Sequence, residues 1–114
     1  MNPLRIQSFT ERGDIYLREA LNTALTGDSR LEFAFDALYM YALCVVSDEA
    51  EALDHPDPAV LREAASILNV PEQALEPALQ RLSDRRQHLR NNAQLDQLVT
   101  LAQQLKNAAA RLAL

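Results

Sequence analysis

Tryptophan is absent from this 114-residue chain, cysteine occurs once, and glycine and histidine occur twice each. Each shortage excludes something. A β-sandwich needs turn glycines and β-branched residues in greater number. The single thiol, Cys44, sits in an apolar run; it cannot close an internal disulfide and reads as a buried core side chain. His55 and His88 are the only histidines, and no HExxH, CxxC or EF-hand spacing is present, so no metal site is expected. No Walker loop or glycine-rich phosphate cradle occurs, and no cofactor is expected. Ser47, His55 and Asp57 lie close in sequence without forming the pattern of a nucleophilic triad. The opening MNPLRIQSFTERG lacks the apolar core of a signal peptide. The most apolar stretch, Leu31 to Val46, is too short to span a bilayer and contains Glu32 and Asp36. A cytoplasmic chain with no membrane contact is the expectation.

What is present points one way. Hydrophobic residues make up 48% and charged residues 24%, an ordinary globular balance. Ala and Leu dominate, and both favour helix. The chain length suits one domain, residues 1–114. The composition predicts an all-α fold, a compact bundle of about five helices around a buried central one. The formal net charge of -5 argues against coating nucleic acid nonspecifically. The charge is uneven, however. Residues 1–60 hold eleven of the sixteen acids but four of the eleven bases. Asp48, Glu49, Glu51, Asp54 and Asp57 form an acidic segment; Arg81, Arg85, Arg86 and Arg90 form a basic one. The plainer reading is two solvated faces that attract each other.

Local signals place the helices. Ser8-Phe9-Thr10-Glu11 has the form of a capping box and predicts a helix to about Leu25, with Ile15, Leu17, Leu21, Ala24 and Leu25 on its apolar side. Gly27 stops it, and Gly13 is a weak point near its start. Ser29 to Glu32 is a second such box. The helix after it, over 30–46, is apolar nearly all round and should be the most buried element, with Phe35, Leu38 and Leu43 in the core. His55 to Pro58 is a break, where Asp57 caps and Pro58 takes the first helical position. That third helix ends near Asn69 in a left-handed turn. Pro71 can start a fourth at Glu72, but Pro77 removes an interior hydrogen bond. One turn, a restart near Glu76, then helix to about Arg90 is expected. Asn91 and Asn92 mark the next break. The last helix carries Leu95, Leu98, Ala102, Leu105, Ala109 and Leu112, a narrow stripe suited to the bundle edge or to a second copy.

Two places carry candidate chemistry. Asp36 stands inside the apolar helix, where an unpaired carboxylate is costly. It reads either as a bridge to Arg62, Arg81 or Arg85, or as a group orienting an arginine or histidine at a site. Arg81, Arg85 and His88 share one helical face. Guanidinium groups hold phosphate, and a histidine moves protons near neutral pH. Together they form a minimal kit for cleaving RNA through attack of the 2′-hydroxyl on the neighbouring phosphate.

The stretch Ser29 to Tyr39, with a turn, more helix and an arginine-rich core helix after it, resembles the HEPN superfamily of small helical bundles. Many of its members cleave RNA as toxins or defence nucleases; others are inactive binding modules. Its motif is Arg, four to six residues, then His. Arg81 and His88 enclose six residues, although Leu82 replaces the polar residue frequently found after the Arg. The resemblance implies a metal-independent endoribonuclease or a degenerate relative working with a cognate protein partner. Arg81 and His88 would be catalytic; Arg85, Arg86, Arg90 and Asp36 would bind or orient. It also implies RNA as a ligand and a homodimer. The alternative is a non-catalytic adaptor or regulator. Residues 63–75 resemble a helix-turn-helix with Asn69 at the turn, but Glu72, Gln73 and Glu76 would then face phosphates, so an ordinary corner of the bundle is the expected use.

Overall fold

Leucine and alanine at helical spacing build the whole framework. A computed structural model describes residues 3–86 and 95–112, and side chains over 4–83 and 95–112. No strand occurs among the described residues. The elements are α1 (Pro3–Ala20), α2 (Gly27–Leu43), α3 (Asp48–Glu51), α4 (Pro58–Leu68), a 3-10 turn (Glu72–Leu75), α5 (Glu76–Arg86) and α6 (Leu95–Leu112). The expected all-α bundle is present, and the single turn α3 is the addition to it. No helix among the described residues is long and apolar enough to cross a membrane.

α2 is the centre, with α1, α4 and α6 packed on it. Phe35, Leu38 and Leu43 are buried, and Cys44, Val45 and Val46 continue the buried run past the helix end. Burying a side chain of this size stabilises the fold by about 1.5–3 kcal/mol. The α6 stripe is wider than the expected seam, because Leu101 and Ala108 are buried beside Leu98, Ala102, Leu105 and Ala109. This face packs chiefly on α2, inside the bundle, while Leu112 at the end of the stripe is exposed.

α1 departs from expectation at both ends. It begins at Pro3, where a missing N–H costs nothing, and runs straight through Ser8 to Glu11. The capping box is therefore ordinary helix. α1 also ends early, at Ala20, whose carbonyl accepts from Arg30 Nε at 2.8 Å. Asn22 then bonds the Ala24 N–H and shapes a turn. Ile15 and Leu21 are exposed, and the buried side of α1 is built on Gly13, Leu17 and Ala20. Gly27 is the first residue of α2, and Thr26 is the cap, accepting from the Ser29 N–H at 3.2 Å.

The remaining signals read correctly. Asp57 caps α4 with Pro58 in its first turn. Asn69 is left-handed at φ 57°, and Val70 N–H returns to Ala65 at 2.9 Å in a Schellman closure. The 3-10 turn ends where α5 begins, so Pro77 sits in the first turn of α5, where its missing N–H is not needed. After Asn69 and the two residues that follow it, the 3-10 turn leads into α5, so residues 63–75 form a corner of the bundle. The expected end of the fourth helix at Arg90 and the break at Asn91 lie outside the described residues.

Candidate functional site: a cleft beside Asp36

Residues of α2 spaced one turn apart reach the same side of the helix. Phe35, Asp36, Tyr39, Met40 and Leu43 therefore present a ridge, and α1 lays Phe9 and Arg12 alongside it. Between them lies a cleft of about 390 Å³. Glu51, His55 and Pro56 close one end. The floor is apolar and aromatic, with charged groups at the rim. The Arg12 guanidinium lies 5.7 Å above the Phe9 ring, a cation–π contact on the cleft wall. Asp36 is half-buried.

A hydrogen-bonded knot fixes the closed end. His55 Nε2 donates to the Glu51 carbonyl at 2.7 Å. A carbonyl only accepts, so in the neutral ring Nδ1 carries no proton and accepts from the Tyr39 hydroxyl at 2.5 Å. Tyr39 in turn accepts the Asp57 N–H at 2.9 Å. Burial raises the Tyr39 pKa most; the Asp57 N–H bond pulls the other way, and the Asp57 charge adds to the rise. Tyr39 thus stays a donor at neutral pH. Both ring nitrogens of His55 are hydrogen-bonded, and the imidazole ties the α3–α4 loop to α2.

Of the basic segment, the described side chain is that of Arg81. Arg81 is buried at 6% exposure, and its Nη2 donates to Glu32. Among the described residues its Nε and Nη1 find no hydrogen-bond partner. Glu32 stands one turn before Asp36 on α2, so the structure brings Arg81 near Asp36 but binds it to the neighbouring carboxylate. Arg62, another of the three suggested partners, approaches Glu72 at 3.7 Å. The acidic segment is held by Arg5, whose Nη1 donates to Asp48 at 2.8 Å and Glu51 at 2.7 Å and whose Nη2 donates to the Val46 carbonyl. Among the described residues, Asp48 and Glu51 thus pair with Arg5, and Arg81 pairs with Glu32. His88 and Arg90, and the side chains of Arg85 and Arg86, lie outside the described residues.

Known protein families, curated proteins and solved structures give no match to the chain. The cleft thus stands on its own geometry. Among the described residues, no group of His, Cys, Asp and Glu is placed to hold a metal. Cys44 is buried and its pKa is raised, mainly by that burial, which leaves it a poor nucleophile. Sequence reasoning overlooked Phe9, Arg12, Tyr39 and His55. One signal was available: a tyrosine inside an apolar helix needs a partner for its hydroxyl.

Proposed function

We propose that this chain is a non-catalytic binding domain, an adaptor or regulator, whose cleft beside Asp36 receives an apolar group of a partner. The observation that carries this reading is the cleft of about 390 Å³, lined by the aromatic rings of Phe9, Phe35 and Tyr39. Pockets of this size suit an anchoring side chain or a small ligand. The interior position of Arg81 adds support, because a guanidinium that holds a scissile phosphate must reach solvent. The test is a fragment and peptide screen by NMR with the whole chain. Shifts clustered on Phe9, Met40 and His55, abolished by Met40→Arg, are expected. RNA cleavage in EDTA that is lost in His88→Ala would overturn the reading and favour the nuclease. Salt-sensitive RNA binding weakened by Arg85→Ala would favour a degenerate RNA-binding site. For a binding domain of this kind, Arg81→Ala lowers stability and leaves RNA affinity unchanged.

A further inference from the structure

A second depression lies beyond α3 from the cleft, with a volume of about 750 Å³. Its apolar part is supplied by Ile67 of α4 and Leu112 of α6, exposed at 40% and 44%. Exposed side chains of this size, gathered from separate elements into one groove, present an apolar strip to solvent. The rim is anionic: Asp48, Glu49 and Glu63 stand against one cation, Arg5. Asp48 is 96% exposed at its side chain. Arg5 shows how this end treats a guanidinium, with two carboxylates and the Val46 carbonyl converging on it.

We propose that this groove docks a cationic amphipathic helix of a partner protein. The apolar side of that helix rests on Ile67 and Leu112, and its lysines or arginines meet Asp48 and Glu49. Charge complementarity selects this occupant, since an acidic rim repels nucleic acid and anionic partners alike. The proposal uses the reading of the chain as a binding domain but not the cleft, and the two fail separately.

The experiment titrates the full chain with a leucine–lysine amphipathic helical peptide and with its leucine–glutamate counterpart. The lysine peptide should bind, perturb Glu49, Ile67 and Leu112, and weaken as salt rises. Glu49→Lys and Ile67→Ser, each checked for folding by circular dichroism, should each reduce affinity by roughly tenfold, a typical loss when a rim charge is inverted or an anchor removed. Met40→Arg should leave this binding unchanged while it blocks the cleft. Equal binding of both peptides, no binding, or binding indifferent to Glu49→Lys overturns the proposal. Self-association abolished by Ile67→Ser, without peptide binding, assigns the groove to a second copy and overturns it as well.

Discussion

The two flanks of α2 are packed by different physics. Towards α6 the contact is aliphatic: Leu98, Leu101 and Leu105 are buried, with alanines between them. Towards α1 and the α3–α4 loop, the contact is tipped with polar groups. Tyr41 donates to Asp14 at 2.7 Å, and Tyr39 joins His55. The first flank depends on volume and the second on geometry. A volume-filled interface tolerates reshaping if its size is kept. A hydrogen-bonded one fails when a single partner is removed. The cleft lies on the second flank, where directional bonds hold an opening that simple packing would close.

The largest contrast comes from Leu105→Ala, which should cost about 2–5 kcal/mol in urea unfolding through lost burial and a cavity. Cleft binding at temperatures where the variant is folded should not change. Loss of cleft binding in that folded variant would show that the flanks are not independent. Gly13→Ala comes next. A Cβ there would stand 2.5 Å from Tyr41 Cε1, inside a rigid ring. Overpacking of this kind costs about 1–3 kcal/mol, enough to offset the roughly 1 kcal/mol by which alanine favours helix over glycine. A stabilised Gly13→Ala would mean that this flank also gives way to volume. Tyr39→Phe should cost about 1–2 kcal/mol, since it leaves His55 Nδ1 and the Asp57 N–H without that bond. Hydrogen exchange should quicken at residues 54–57 and not in α6.

The smallest effect is in alkaline pH. Tyr39, Tyr41 and Cys44 all have raised pKa values, with burial as the largest cause in each. The unfolded chain releases these protons near pH 8.5 for the thiol and near 10 for the phenols, as model peptides do. The folded chain holds them longer. Their contribution to stability is therefore complete below about pH 8 and declines as pH rises through the unfolded and then the folded values. Tyr41→Phe should lose stability at pH 7 yet show a shallower decline above pH 10. An unchanged slope, read from thermal melts across that range, would remove Tyr41 from the account.

Helix positions were legible because they depend on neighbours in the chain. Pro58, Asn69 and Pro77 act within a few residues, and each behaves as its chemistry requires. The start of α1 was not legible. Ser8 and Glu11 match a capping box, but a box caps only where the N–H groups are free, and Pro3 had already begun the helix. Thr26 displaced Ser29 for the same reason. The cleft was harder still. Tyr39 and His55 are separated by the end of α2 and the single turn α3, and Arg81 finds Glu32 across 49 positions. Periodicity shows that Arg81 shares a face with His88, but not that another helix places a carboxylate against it.

Gly13 and Tyr41 form one unit in space although they lie on different helices. The ring fills the hollow that the missing side chain leaves, so neither site has a free choice of residue. Among descendants of this chain, a larger residue at 13 should arise together with a smaller one at 41, and Asp14 should lose its phenol partner in the same step. Covariation of these positions would trace the α1–α2 crossing in related sequences that share little else.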